Sequence, residues 1–372
     1  FLFFISISWF SFSMGGFIGD QLWILKYILN HSLSSNETPV LLPVFFPIAT
    51  SFITFGMNLS YKLIVENNNK KFLKQSFGAY ISPELIDQMF EEKKEPKLGG
   101  NPGYHTMLFS DIASFSTFSE KLEAQSLLSL LNEYLTAMTD ILIENKGTLD
   151  KYIGDAIVAF YGAPAPVEDH EIKSCITALQ MQEALGELRK KWYDENDWPD
   201  IVYSMQHRIG LNSGRMVTGN MGSEMRMNYT MMGDTVNLAA RLESSAKQYG
   251  VYNFVGENIY ESAKSMFIFR FLDFVQVKGK QIPVKVYELV SEKTKADNST
   301  IDLIRTFEKG LDHYFQKEWD QAIDCFEKAN TMEDHFESRN TTPSAVYIDR
   351  CTMFKENPPD KDWDGVWAMT SK

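Results

Sequence analysis

Apolar residues are concentrated at the start of the chain. Residues 1–19 carry no charge, and Asp20 is the first charged residue. Residues 38–61 form a second uncharged stretch. Both are long enough to cross a bilayer as a helix. The pattern predicts a transmembrane helix over 1–19, an extracytoplasmic loop over 20–38 and a second transmembrane helix over 39–62, with buried core helices as the alternative. The first stretch lacks the basic leader and small-residue cleavage site of a signal peptide. Pro39, Pro43 and Pro47 suit the entry end of a membrane helix. Between the two stretches Lys26 is the one basic residue, whereas Lys62, Lys70, Lys71 and Lys74 follow the second. The positive-inside rule then predicts a multi-pass protein of the cell inner (plasma) membrane, with everything after residue 62 in the cytoplasm. The chain begins at Phe1 rather than Met and reads as a fragment of a longer protein.

Residues 63–97 read as a signalling helix and linker, with a helix restart at Ser82-Pro83 and a Gly/Pro-rich linker at 97–103. Residues 98–291 alternate strand and helix patterns. YHTMLFSDI is a buried strand ending in an acid. Ala124–Asn145 has helical period, with Leu127, Leu128, Leu131, Leu135, Met138 and Ile141 on one face. GTLDKYIGDAIVAFYG is a hairpin turning at Gly154-Asp155. Helices are predicted at 168–192 and 234–249. Strands are predicted at MQHRIGLNSG, MVTGNMG, 269–277 and 284–290. This order gives an α+β domain with a mostly antiparallel sheet. Residues 301–356 predict a helical hairpin in which Gly310, Ala322, Phe326 and Ala329 have the spacing of one tetratricopeptide unit. One such unit cannot bury its own face, so it must dock on the catalytic domain, a protein partner or its twin. The tail, 357–372, carries Trp363 and Trp367 as anchors.

Composition narrows the function. The 372 residues include 36 Lys and Arg against 49 Asp and Glu, a formal charge of −13. Nucleic-acid backbones are gripped by basic faces, so no nucleic-acid partner is expected. Cys175, Cys325 and Cys351 lie far apart and give neither a zinc spacing nor a disulfide framework.

Candidate chemistry lies within 104–291. Asp111 ends a strand and Asp155 occupies a hairpin turn. Two such acids suit divalent cations bridging a triphosphate, although an N-cap and a turn residue are the plain alternatives. The backbone after Asp111 can turn N–H groups toward phosphate oxygens. Asn237 and Arg241 are four apart on one helix face. Arg215 lies between two strand patterns, Lys278 in a turn, and Lys151 four residues before Asp155. Surface solvation is the alternative for each. Together they supply cations to match acids plus metals, the balance that phosphoryl or nucleotidyl transfer needs. No Ser-His-Asp or Cys-His arrangement is visible, and His105 and His207 read as structural.

FSDIASFS, LDKYIGDAIVAF, GLNSGRMVTGNMGS, YTMMGDTVNLAARLE and VKGK, in this order, resemble the class III nucleotide cyclases. The FGAYISPELIDQM lead-in and DWDGVW tail resemble bacterial membrane-bound adenylate cyclases, which often carry a sensor upstream. The resemblance implies a ferredoxin-like catalytic domain that converts ATP to 3′,5′-cyclic AMP and pyrophosphate. It implies two Mg2+ or Mn2+ ions per site on Asp111 and Asp155, with the Ile112 backbone serving metal or phosphate. Lys151 and Thr230 would read adenine; guanylate cyclases typically carry Glu and Cys there. Asn237 and Arg241 would orient the ribose and stabilise the α-phosphate, and Arg215 and Lys278 would hold the terminal phosphates. It also implies a homodimer with sites at the interface. Guanylate cyclase and a catalytically inactive nucleotide-binding scaffold remain as alternatives. A diguanylate cyclase would need a Gly-Gly-Asp/Glu-Glu-Phe turn where this hairpin reads Tyr-Ile-Gly-Asp-Ala.

Overall fold

The computed structural model describes residues 41–77, 86–87, 97–276, 283–334, 339–360 and 362–368. The chain divides into two compact units, Phe1–Ile81 and Ser82–Lys372. Among the described residues of the first unit one helix, α1, runs Leu41–Phe77. It overlaps the second predicted span and continues well past residue 62. Among the described residues, no helix is long and apolar enough to cross a membrane. Hydroxyl and amide side chains interrupt the apolar run here. Thr54 and Asn58 turn back onto carbonyls one turn earlier, at 2.6 and 2.9 Å, which satisfies these groups within the helix. The predicted span 1–19, the loop 20–38 and the Ser82-Pro83 restart lie outside the described residues.

The second unit is built on one sheet. Its strands are β1 (Gly99–Ile112), β2 (Thr148–Ile153), β3 (Ala156–Tyr161), β4 (His207–Ser223), β5 (Arg226–Met232), β6 (Asn253–Gly256), β7 (Phe267–Gln276), β8 (Val284–Glu292) and β9 (Trp367–Ala368). They run in the order β2-β3-β1-β4-β6-β8-β7-β9, with β5 folded onto β4. The β4–β6 and β7–β9 pairs are parallel and the others antiparallel. The helices are α2 (Phe115–Lys121), α3 (Ala124–Glu144), α4 (His170–Glu195), α5 (Asp200–Tyr203), α6 (Asp234–Tyr249), α7 (Glu257–Ala263), α8 (Asn298–Phe315), α9 (Trp319–Asn330) and α10 (Pro343–Glu356).

Several expectations are corrected. The 97–103 linker is in large part strand: Gly99–Gly103 pairs with Met216–Asn220 of β4. A Cβ on Gly219 would lie 2.2 Å from the Gly99 carbonyl oxygen, so glycine here permits a close strand approach rather than a flexible tether. MQHRIGLNSG and MVTGNMG are one continuous strand, and Arg215 lies inside it. The face of α3 is shifted only in part, since Leu131, Leu135, Met138 and Ile141 pack in or against the core as expected. Leu130, Tyr134, Met138 and Leu142 are buried, whereas Leu128 is 55% exposed. Both stripes are apolar. The inward one carries Tyr134, whose hydroxyl lies 2.9 Å from buried His207 Nδ1 and 3.4 Å from Ser110. Burial lowers the His207 imidazole to about 3, helped by Arg189, so it is a neutral core group.

Residues 298–356 hold three helices, α8, α9 and α10, rather than a two-helix hairpin. They dock on α6 and the sheet. Phe307, Phe326 and Tyr347 join Leu242, Tyr249, Leu272 and Val275 in one core. Fully burying such side chains contributes roughly 1.5–3 kcal/mol each. Gly310 lets α8 close on α9, because a Cβ there would meet the Phe326 ring at 2.7 Å. Polar clamps reinforce the seam. Tyr347 donates to the Leu272 carbonyl at 2.6 Å. Arg350 pairs with buried Asp273 at 2.6 Å, and Arg270 pairs with Glu288 and Glu333 at 2.6 and 2.7 Å. Trp363 packs on Tyr314 and Phe354, and the Arg350 guanidinium lies 4.0 Å from the Trp367 ring.

Candidate active site

Asp111 is the penultimate residue of β1, and Arg208 of β4 faces it across the ladder. Asp155 follows Gly154 in the two-residue turn that joins β2 to β3. Gly154 has φ +66 in open space, so backbone conformation rather than crowding demands glycine. The turn brings the Asp155 carboxylate over the end of β1, where the Ile112 N–H donates to its Oδ2 at 3.0 Å. Burial, and then repulsion by Asp111, raise the Asp155 carboxyl to about 6. These are two hard oxygen donors pressed together at a cost that a divalent cation would relieve. Among the described residues, no group of three or more His, Cys, Asp or Glu could hold a metal. Asp111, Asp155 and the Ile112 backbone fit such an ion when water or substrate supplies further oxygens.

A third carboxylate faces this pair. Arg208 reaches Asp111 Oδ2 through Nη2 and Glu243 Oε1 through Nε, each at 3.3 Å. Burial, followed by the charge of Asp111, raises the Glu243 carboxyl to about 7 against the pull of Arg208. Glu243 is delivered by α6, which lies directly on β4. A Cβ on Gly210 would stand 2.4 Å from the Glu243 nitrogen and from the Ala239 oxygen. The same helix presents Asn237, exposed, and Arg241, half-buried. Its first turn is tied to β4, where Thr235 Oγ1 donates to the Arg215 carbonyl at 2.9 Å and Asn212 Nδ2 to the Thr235 carbonyl at 3.0 Å.

A second group forms around Asp150. Thr230 Oγ1 of β5 donates to Asp150 Oδ2 at 2.5 Å, and Lys151 Nζ lies 3.4 Å from Asp150 Oδ1. Lys151 and Thr230, far apart in sequence, therefore meet on one carboxylate. Residues 103–291 match the family model "Adenylate and Guanylate cyclase catalytic domain". The chain belongs to this cyclase family.

Similar proteins agree with that assignment. Adenylate cyclase 1 of Rhizobium meliloti (strain 1021) is 30% identical over 228 residues, covering 60% of this chain and 33% of the relative. The adenylate cyclase of Anabaena cylindrica is 34% identical over 228 residues, 59% of this chain and 42% of the relative. The chain thus spans between a third and a half of those relatives. A bacterial light-regulated adenylyl cyclase structure superposes with a TM-score of 0.51 at 24% identity, covering 67% of this chain and 70% of that one; it supports the fold alone.

Within the cyclase domain the predicted site residues form two knit groups. Asp111, Ile112 and Asp155 meet at the end of β1; Lys151 and Thr230 meet at Asp150. Arg215 is exposed on β4, and Asn237 and Arg241 lie along α6. Lys278 lies outside the described residues. Sequence reasoning missed Asp150, Arg208 and Glu243. Arg208 carried a signal: a charge directly before the strand residues Ile209 to Leu211 needs a buried partner.

Proposed function

We propose that the protein is an adenylate cyclase, converting ATP to 3′,5′-cyclic AMP and pyrophosphate. The ribose 3′-oxygen bonds to the α-phosphorus as the bond to pyrophosphate breaks. The observation that carries the reading is the Asp155 carboxylate held on the Ile112 N–H beside Asp111, in a domain whose other pocket sets Lys151 and Thr230 together. Divalent ions on the two aspartates, Mg2+ or Mn2+ and two per site, would activate the 3′-hydroxyl and neutralise phosphate charge. Asn237 and Arg241 orient the ribose and α-phosphate, Arg215 and Lys278 hold the terminal phosphates, and Lys151 and Thr230 read the base. No covalent nucleophile is required; positioning and charge neutralisation suffice.

The working unit in this reading is a homodimer, in which one protomer's aspartates face its partner's α6 and base-reading pair. Exposed apolar side chains support it: Ile153 beside the Asp155 turn, and Val217 with its ladder partner Met232, which is 63% exposed. Membrane attachment through 1–19 and 39–62, with the catalytic domain cytoplasmic, is part of the same proposal and rests on the charge pattern of the sequence. A protein partner would bind the outer face of α8–α10.

The test is product analysis on the purified chain with ATP or GTP and manganese. Cyclic AMP from ATP is expected, and Lys151→Glu with Thr230→Cys should shift preference toward GTP. Cyclic GMP formed from GTP by the wild type would assign a guanylate cyclase. Nucleotide binding without turnover would assign a scaffold. Partition of the chain into carbonate-washed membranes tests the attachment; recovery in the soluble fraction would refute it.

A further inference from the structure

Lys151 and Thr230 can discriminate adenine from guanine only if their hydrogen-bonding directions are fixed. Adenine presents an acceptor at N1 and a donor at its 6-amino group; guanine presents a donor at N1 and an acceptor at O6. Lysine ammonium donates only, so it suits adenine N1 and repels guanine N1–H. A threonine hydroxyl is ambivalent: it has one proton and two lone pairs. Left free, it could accept from the adenine amino group or donate to guanine O6. By itself it would select nothing.

In this structure it is not free. The Thr230 hydroxyl proton is committed to Asp150 Oδ2 at 2.5 Å. An ionised carboxylate accepts only, so the bond cannot reverse. The Thr230 oxygen is left as an acceptor. The other carboxylate oxygen faces Lys151 Nζ at 3.4 Å. One side chain thus touches both base readers, lying beside the lysine, which only donates, and leaving the threonine as an acceptor.

The backbone is built to allow this. Successive residues of a regular strand point to opposite faces. Here the β2–β3 register shifts between Leu149, opposite Ala159, and Lys151, opposite Val158. Asp150 is the extra residue of a β-bulge, a device that re-aims side chains. The bulge lets neighbouring Asp150 and Lys151 share a side. The Asp150 side chain is only 4% exposed, a costly place for a carboxylate unless its partners hold it.

We propose that Asp150 is a positioning residue for nucleobase selection, acting by locking the Thr230 hydroxyl as an acceptor for the 6-amino group of the substrate purine. The proposal rests on the assignment of Lys151 and Thr230 as base readers. It predicts that Asp150 sets specificity rather than the rate of ring closure.

The test uses the full chain and the ratio of kcat/KM for ATP to kcat/KM for GTP, with displacement of a fluorescent nucleotide by each triphosphate as a second readout. Asp150→Asn is nearly isosteric. Its single amide oxygen turns to Lys151 and its amide nitrogen donates to Thr230, releasing the threonine proton. The ratio should fall about tenfold, the worth of one hydrogen bond. Asp150→Ala should lower it comparably. In a Thr230→Val background, Asp150→Asn should add nothing further. An unchanged ratio in Asp150→Asn and Asp150→Ala, in both turnover and displacement, would overturn the proposal. So would an equal further fall in the Thr230→Val background. If Lys151→Glu with Thr230→Cys also leaves the ratio unmoved, the base-reader assignment itself fails. If that pair moves the ratio while the Asp150 variants do not, the lock alone fails.

Discussion

Arg350→Met is the sharpest test of how the C-terminal helices are held. Asp273 is completely buried. Its carboxylate accepts from Arg350 Nη1 and the Tyr249 hydroxyl, each at 2.6 Å, and from the Phe274 N–H at 2.8 Å. Methionine keeps most of the apolar stem but removes the cation. Two neutral donors then remain for a charge far from water. Removing one partner of a buried pair costs about 3–5 kcal/mol, because the other charge is left uncompensated. The guanidinium also stacks 4.0 Å from Trp367 and 4.9 Å from Tyr347, contacts of about 0.5–2 kcal/mol each. The expected loss is therefore about 4 kcal/mol or more. Urea unfolding followed by tryptophan fluorescence measures it, and Trp367 reports from the site itself. A second variant separates charge from packing. Asp273→Asn in the Arg350→Met background removes the stranded charge while keeping an acceptor for Tyr249. The double variant should be more stable than Arg350→Met alone. A loss below about 1 kcal/mol, or a double variant less stable than the single, would show that the pair does not carry the seam.

Four other outcomes are expected. Asp155→Asn should abolish turnover while leaving the circular dichroism spectrum unchanged; retained activity would remove Asp155 from the site. The folded-state pKa of Asp155 is raised to about 6, so its ionisation opposes folding without metal. Stability from this group is present below about pH 4 and is lost as pH rises through about 6. The EDTA-treated wild type should therefore melt higher at pH 5 than at pH 7.5 relative to Asp155→Asn, and a parallel pH response would refute the repulsion. Glu243→Gln should raise half-saturating manganese about tenfold by leaving Arg208 to Asp111 alone; an unaltered titration would show that Glu243 does not tune the aspartate. Gly210→Ala should cut activity far more than it lowers the melting temperature, because the added methyl meets the Glu243 and Ala239 backbone at 2.4 Å and moves α6; full activity would mean that α6 tolerates the shift.

The chemistry of the site was more legible than its geometry. Gly154-Asp155 announces a tight turn through local backbone preference, so Asp155 was readable from sequence. The periods of α3 and α6 were equally clear. What the sequence hid was decided by neighbours. Gly99–Gly103 carries every mark of a linker and is strand because β4 offers it a partner. Leu131, Leu135, Met138 and Ile141 pack in or against the core as their period predicts, whereas Leu128 is exposed and the inward face extends to Leu130 and Tyr134. Asp150 escapes a sequence reading, since a bulge depends on register with β3 and leaves no local signature. The short elements β5, β6, α2 and α7 went unread because four to seven residues hold too little periodicity.

The docking of α8–α10 has a consequence for how much of the chain the folded domain needs. The family-model match stops at residue 291, yet the helix bearing Asn237 and Arg241 has its far side, through Leu242 and Tyr249, sealed by Phe307 and Tyr347. A truncation at that limit would strip that side bare. The folding unit is larger than the stretch the family model matches, and α6 takes its footing from residues beyond that stretch.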